Sequence, residues 1–205
     1  MHTLAPSVAP LGLADAVMAQ LRAATRTHHQ RIEQLLALDA PMPLSRYAAI
    51  LQGFQSLLTG LEAELREALP VGMHGWLAAR SRLGFLAQDL AWLGRAVPPS
   101  LPGAGLRCLP QAGVPSAFGA LYVIEGSALG GQVIVPRLQR DMGLEPGRGA
   151  SYFHGFGDRT GSMWREFRQR AGEAIGSGAM DRQQACRAAG QTFDALTSAF
   201  EKALS

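Results

Sequence analysis

The sequence predicts an all-α protein with a single helical domain. Three observations support this: apolar residues recur at helical spacing along most of the chain, no segment alternates as a half-buried strand would, and Pro and Gly clusters separate the periodic segments. With 205 residues, 47% of them hydrophobic, the chain can build one substantial core. We expect residues 1–11 to form a flexible tail and residues 12–205 to form the domain.

Helix-breaking residues divide the first half of the chain. Pro41 and Pro43 end the first helix, Ser45 is a good N-cap for the second, and Pro70 and Gly72 stop it. The predicted helices of this half cover 13–38, 46–69 and 76–93.

The second half begins after a connector rich in Pro and Gly, residues 94–115. A long helix follows, then a second irregular stretch over 143–161. Gly176 and Gly178 precede the last helix, which Asp181 begins. The predicted helices of this half cover 116–142, 162–174 and 181–203.

Charge and composition narrow the functional class. The net charge is +3 with scattered arginines, which favours a local cluster binding one acidic ligand over a nucleic-acid surface. Cys108 and Cys186 match no metal or disulfide pattern, so we expect both thiols to be reduced and the compartment to be cytoplasmic. No apolar run of membrane-spanning length and no signal peptide are apparent, so no membrane association is expected.

The helix over 116–142 carries an unusual number of glycines. Each interior glycine costs a helix roughly 1 kcal/mol against alanine. Gly119, Gly126 and Gly130 share one face at 3.6 residues per turn, and Gly131 follows directly. Either something flat or bulky lies against that face, or the helix bends there. A closely packed helix and a bound ligand are both compatible with the pattern.

The first helix places His29 and Glu33 one turn apart on the same side. A carboxylate there can hydrogen-bond one imidazole nitrogen, fix the tautomer and leave the other nitrogen for a metal. Thr25 and Arg22 precede His29 on that side. The ordinary alternative is an exposed His–Glu pair that stabilises the helix. Periodicity by itself points the adjacent His28 towards the core.

Three motifs occur in order along the chain. They are Ala24-Thr25-x-x-x-His29 with Glu33 four residues on, Gly126-x-x-x-Gly130-Gly131-Gln132, and Tyr152-Phe-His-Gly-Phe-Gly-Asp-Arg-Thr-Gly-Ser-Met-Trp-Arg-Glu-Phe167. The first resembles the proximal-ligand motif of haem oxygenases, and the second resembles their distal helix. The third is similar to a segment of the bacterial branch that includes phytochrome-associated enzymes.

The resemblance implies a helical bundle with b-type haem between the first helix and a glycine-kinked distal helix. His29 would ligate the iron, and Gly126 and Gly130 would leave room for O₂. Ser127 stands where animal members carry Asp, so the distal water network must differ. The other implied haem contacts are Arg22, Thr25, Glu33, Tyr122, Gly131, Arg165 and Arg168, with the arginines meeting the propionates.

The implied reaction is oxidative cleavage of haem to biliverdin, CO and ferrous iron, with haem as substrate and cofactor. The sequence has no flavin or nicotinamide fingerprint, so electrons would come from a separate ferredoxin or reductase, and a phytochrome is a possible acceptor of biliverdin. Three alternatives remain open: a haem carrier or sensor without turnover, a helical metal-carboxylate protein and a helical interaction module. The second usually needs Glu-x-x-His pairs, which the sequence lacks.

Overall fold

The computed structural model describes residues 12–96, 109, 113–176 and 178–205. Within these ranges the chain is helical, and extended pairing is limited to isolated bridges around Glu145. Short 3₁₀ turns precede α3 and α7. The helices are α1 (Leu13–Leu36), α2 (Leu44–Ala68), α3 (His74–Ala78), α4 (Leu83–Trp92), α5 (Val114–Met142), α6 (Ser151–His154), α7 (Thr160–Ile175) and α8 (Ala179–Leu204).

The long helices confirm the sequence-based assignment, and three details correct it. The predicted helix over 76–93 is two helices, because residues 79–82 leave the helix and place Arg80 and Arg82 inside the protein. Ser45 is not an N-cap, since α2 already begins at Leu44 behind Pro43. The stretch over 143–161 contains α6 and a 3₁₀ turn. The predicted tail over 1–11 and most of the 94–115 connector lie outside the described residues.

Helix α8 is the centre of the bundle. It packs along α5, α1 and α2, and α7 fills the remaining side by packing against both α1 and α5. Large aromatic side chains, among them Phe118, Phe167 and Phe200, are fully buried at these contacts. Burying such side chains supplies much of the free energy that holds a helical bundle together.

Helices α1 and α5 make at most marginal contact with each other. Both pack against α7 and α8, so the two helices share the same neighbours without packing closely against each other. These are the helices that carry the two predicted ligand-binding motifs. The two motifs therefore lie on helices that are joined through α7 and α8.

Buried polar contacts fix α6 against the rest of the bundle. The carboxylate of Asp89, on α4, accepts hydrogen bonds from the backbone N–H groups of Ser151 (2.9 Å) and Tyr152 (2.7 Å). These are orphan donors in the first turn of α6, where a carboxylate is also favoured by the helix dipole. The hydroxyl of Tyr47 donates to the carbonyl of Gly149 at 2.7 Å. The result is a rigid support beside α5.

Helix α5 corrects one expectation from the sequence. By length and composition it could cross a membrane, although no apolar run was expected to do so. Half of its most apolar window is buried inside the protein, against α6, α7 and α8. A buried core helix passes the same test, and the packing of α5 is that of a core helix.

Candidate functional site

The glycines of α5 fall into two groups. A Cβ at Gly119 would overlap the backbone of Ala185 on α8, and a Cβ at Gly131 would overlap the carbonyl of Phe153 on α6. Among the described residues, a Cβ at Gly126 would meet nothing within 4 Å, and one at Gly130 only Ile134 Cδ1 at 3.9 Å. At Gly119 the partner is therefore a packed helix, α8, which is one of the two partners that the sequence pattern allows.

Gly131 differs from its predicted role as a haem contact. Its missing side chain lets α6 approach α5, so it serves helix packing as the structure places it. Gly126 and Gly130 have no such use within the described chain. The side of α5 that they occupy continues to Val133, whose side chain is 62% exposed. An apolar, side-chain-poor strip of α5 thus remains uncovered.

His29 is an accessible imidazole with one nitrogen engaged. Its Nδ1 lies 3.3 Å from Oε2 of Glu33, and the side chain is 61% exposed. The other ring nitrogen, Nε2, has no partner among the described residues. His29 also meets the ring of Phe193 edge-on at a centroid distance of 6.0 Å. The arrangement has the oriented, half-free imidazole that metal ligation needs.

His28 packs inward, as its periodicity predicted. Its Nε2 lies 3.6 Å from Asp194 of α8, and its ring faces Phe193. Thr25 departs from its predicted role, because its side chain is 2% exposed and its hydroxyl donates to the carbonyl of Leu21 at 2.8 Å. A buried hydroxyl satisfied within its own helix is a packing group, so Thr25 supports α1 without reaching the uncovered space.

The three predicted propionate anchors are in different situations. Arg22 and Arg165 are exposed and make no ion pair with any described residue. Arg168 is bound to Asp15 at the start of α1. Because Asp15 precedes His29 by fourteen residues, about 21 Å along a helix axis, Arg168 as placed lies far from the predicted iron ligand. Arg22 and Arg165 are the better candidates.

An open groove separates the start of α1 from α7. Its volume is about 370 Å³, and both Arg165 and Arg168 line it. Tyr122 is half-buried on α5, one turn before Gly126, with its ring 6.2 Å from that of Trp164 on α7. The cationic side of α7 therefore adjoins α1 on one side and the aromatic residues near Gly126 on the other.

Ser127 is held by a buried arginine that the sequence analysis missed. Arg82 Nη2 donates to the Ser127 hydroxyl at 2.6 Å and to the carbonyl of Ile124 at 2.8 Å. Ser127 in turn donates to that carbonyl at 2.7 Å. Arg82 is buried over the ring of Tyr152 at 4.6 Å. A fixed positive charge thus stands behind Ser127.

A second buried arginine, also missed, binds the residue before Gly126. Arg80 Nη1 donates to Glu125 Oε2 at 2.7 Å, and Arg80 Nη2 donates to Glu166 Oε2 on α7 at 2.7 Å. The sequence did contain a signal for these two buried arginines. Arg80 and Arg82 are two residues apart in a mostly apolar segment, and a helix would not place both on one face.

Two carboxyl groups behind α5 have shifted pKa values. Burial raises the pKa of Glu125, and the Arg80 and Arg82 charges offset part of that rise. Burial also raises the pKa of Glu62, which accepts a hydrogen bond from Ser81 at 2.7 Å. A cavity of about 20 Å³ lies between these groups and is large enough for one water molecule. The side of α5 that carries Glu125 is therefore polar and buried, while the side that carries Gly126 and Gly130 is not covered by described residues.

The residues fit a haem group better than a metal-carboxylate centre. No cluster of three or more potential metal-ligating side chains occurs in the part of the chain that the structure describes. A flat apolar ligand instead suits the uncovered glycine strip of α5 and the exposed imidazole of His29. His29, Arg22, Arg165 and Tyr122 are the residues that would hold it.

Comparison with known proteins agrees with this arrangement. A sequence model described as Heme oxygenase matches residues 102–202. A protein named Heme oxygenase, from Xanthomonas campestris pv. campestris (strain 8004), is 33% identical over 122 residues, which are 59% of this chain and 68% of that protein.

Two solved structures share the fold. The NO- and CO-bound heme oxygenase of Neisseria meningitidis has a TM-score of 0.68 at 21% identity, covering 95% of this chain and 93% of that one. Heme oxygenase 2 of Chlamydomonas reinhardtii, determined without haem, has a TM-score of 0.69 at 18% identity, covering 90% and 96%. The helical order and packing described above are therefore those of an established fold.

Proposed function

The chain belongs to the haem oxygenase family and is an enzyme of haem degradation; from this we propose that it cleaves haem to biliverdin, CO and ferrous iron. The reaction would use O₂ and electrons from a separate donor, a ferredoxin or a reductase. The observation that carries the proposal is the bare strip at Gly126 and Gly130, on a helix whose other glycines are used for packing.

His29 is the proposed iron ligand. Nδ1 of His29 lies 3.3 Å from Oε2 of Glu33, and a hydrogen bond between them in the haem complex would leave Nε2 with its lone pair for the metal. A neutral imidazole is a weaker electron donor than a thiolate and does not promote O–O cleavage as a thiolate does. The bound haem itself supplies the oxygen chemistry, and this side chain fixes its position.

Gly126 and Gly130 are proposed to let the porphyrin and O₂ approach the backbone of α5. A side chain at either position would occupy the space that a diatomic ligand needs. Ser127, held by Arg82, keeps a hydroxyl and a positive charge near this part of the helix. These groups favour ordered water beside the oxygen site, which is where protons must be delivered.

Arg22 and Arg165 are proposed to bind the propionates, with Tyr122 as a further hydroxyl donor. An arginine can meet a carboxylate through two parallel N–H groups, which gives orientation as well as attraction. Arg168 would join them only if it exchanged Asp15 for a propionate. The proposed haem is b-type, because its retention would depend on these contacts and on His29.

We also propose that the enzyme works in the bacterial cytoplasm and passes biliverdin to a phytochrome. Cys186 is a free thiol in the structure, which suits a reducing compartment. Incubating the reaction mixture with a purified phytochrome apoprotein tests the transfer. Faster chromophore attachment than with the same concentration of free biliverdin supports it, and equal rates contradict it.

The experiment for the main proposal is a haem turnover assay. Haemin is added to the purified protein, followed by a reductant under air with catalase present, and the pigment is identified by chromatography. Biliverdin and CO in wild type, with neither in His29→Ala, is the expected result. A stable haem spectrum without pigment would instead indicate a carrier or sensor.

A further inference from the structure

Arg80 joins three parts of the protein at one buried point. It lies between α3 and α4, and its guanidinium reaches Glu125 on α5 together with Glu166 and the Met163 carbonyl on α7. The bonds to the two carboxylates are each 2.7 Å long, and the bond to the Met163 carbonyl is 3.1 Å long. One side chain therefore connects the helix that carries Gly126 to the helix that carries Arg165.

The surroundings of Arg80 restrict its movement. The guanidinium lies 4.4 Å above the ring of Trp76, and its side chain is 3% exposed. Arg170, which also lies over Trp76, donates to the other oxygen of Glu166 at 3.0 Å. Burial tends to raise the pKa of Glu166, but the bonds from Arg170 and Arg80 outweigh it and lower that pKa. Glu166 is thus a charged acceptor for both arginines.

Stability by itself is a weak reason for this arrangement. Desolvating buried ions costs about as much as their attraction returns, so apolar replacements of such groups are often neutral or stabilising. The best-attested use of buried polar contacts is to specify one register among several. Arg80 fits that use, because its donors fix how far α5 can slide along α7.

We propose that Arg80 is a positioning residue that determines which meso carbon of haem is cleaved. The inference rests on the proposed function. The propionate contacts expected on α7 set the rotation of the porphyrin in its plane, and the glycines of α5 set the position of O₂. Arg80 locks α5 to α7, so it fixes which edge of the porphyrin faces the oxygen site.

The most informative variant is Glu166→Gln, because it weakens the bond between Arg80 and α7 while Glu125 of α5 still pairs with Arg80. Glu173→Gln is the matched control, since it makes the same change two turns further along the exposed side of α7. A double variant, Arg80→Met with Glu125→Gln, removes the junction without leaving an unpaired buried charge. Arg80→Lys retains the charge but cannot span both carboxylates.

Two readouts are measured on each protein. The first is the isomer composition of the biliverdin produced. The second is the ratio of in-plane haem orientations in the ferric cyanide complex, from its shifted methyl resonances in NMR, which needs no turnover. We expect the minor-to-major ratio to rise about threefold in Glu166→Gln, as for an exposed ion-pair arm, and about tenfold in the double variant. Glu173→Gln should match wild type.

Unchanged ratios in Glu166→Gln, Arg80→Lys and the double variant would overturn the proposal, as would an equal change in Glu173→Gln. If the double variant fails to fold, the two single variants decide. A wild type that binds haem but makes no biliverdin would refute the proposed function. The haem-orientation ratio would still report whether Arg80 positions the ligand.

Discussion

Gly130 and Gly131 are neighbours in the chain with opposite surroundings. The space that a Cβ of Gly131 would need is occupied by the backbone of Phe153. The space that a Cβ of Gly130 would need is not filled by the described chain. Along α5 the pair Gly119 and Gly126 repeats this division, with Gly119 against α8. Helix packing therefore uses Gly119 and Gly131, and it leaves Gly126 and Gly130 available for the proposed ligand.

Alanine substitution should change the stability of the haem-free protein in opposite directions at the two pairs of glycines. Gly126→Ala and Gly130→Ala should each raise stability by roughly 1 kcal/mol, about 2–4 °C in melting temperature, because they remove a helix penalty without a clash. Gly119→Ala and Gly131→Ala should lower stability by about 3 kcal/mol or more, because the added carbon meets backbone. Thermal unfolding of the four variants measures the difference.

Gly130→Leu extends this test to turnover. It should leave the protein helical and reduce biliverdin formation sharply, because the side chain would enter the proposed oxygen site. Circular dichroism and pigment yield are measured on one preparation. A destabilised variant with normal turnover per folded molecule would mean that Gly130 serves packing only.

His29→Ala should abolish the histidine-ligated haem spectrum, and added imidazole should restore it. The reason is that the oriented imidazole beside Glu33 is the proposed ligand. His28→Ala is the control, because His28 packs towards Asp194 and should affect stability more than the spectrum. The reverse pattern would assign the iron to His28.

Alanine at the proposed propionate anchors should weaken haem binding in a definite order. Loss of a charge-assisted contact costs about 1.5–3 kcal/mol, a factor of about 10 to 150 in Kd. Arg22→Ala and Arg165→Ala should show this loss, and Arg168→Ala should show less, because Arg168 is bound to Asp15. Haem titration gives the affinities. Equal affinities in all three variants and wild type would remove these residues from the site.

Stability should fall as pH rises, in part because of Glu62. Its folded pKa lies above the ordinary 4.5, so the folded state holds a proton that the unfolded state has released. This contribution is complete below about pH 4.5 and is lost as pH rises through the raised value. Glu62→Gln keeps an acceptor for Ser81 without the titration, so its melting temperature should fall less between pH 5 and 8. Glu67→Gln, exposed on the same helix, should follow wild type.

Ser127→Ala should lower the stability of the protein, because Arg82 loses the hydroxyl that accepts one of its hydrogen bonds. Removing one hydrogen bond to a buried charged group costs about 1.5 kcal/mol or more. Ser127→Asp should retain the contact as an ion pair. Chemical denaturation of both variants measures the effect, and equal stability of Ser127→Ala and wild type would show that the Ile124 carbonyl satisfies Arg82.

Long periodic segments made the fold accessible from the sequence. Helices α1, α2, α5, α7 and α8 follow the predicted spans closely, because each buries a continuous apolar face. The break in the helix at residues 79–82 could not be predicted from the sequence, because it depends on distant partners. Arg80 binds residues 45 and 86 positions further along the chain, and Arg82 binds a residue 45 positions further along. Local spacing carries no information about such contacts.

The candidate site was predicted unevenly for the same reason. Motif spacing identified His29, Glu33, Gly126 and Gly130, whose accessible positions suit a ligand. Spacing cannot tell a glycine that admits a ligand from one that admits a helix, so it could not show that Gly119 packs against α8 and Gly131 against α6. Spacing likewise could not show that Thr25 is buried and that its hydroxyl bonds to the carbonyl of Leu21 in its own helix.

The central position of α8 has a consequence for biosynthesis. The two helices that carry His29 and Gly126 both pack against a helix that the ribosome makes after both of them. A nascent chain ending before Ala179 would contain every proposed haem ligand and still lack one of the two helices against which α1 and α5 both pack. Such contacts between distant segments form late in folding. Haem capture should therefore follow completion of the bundle, and the growing chain should not compete for free haem.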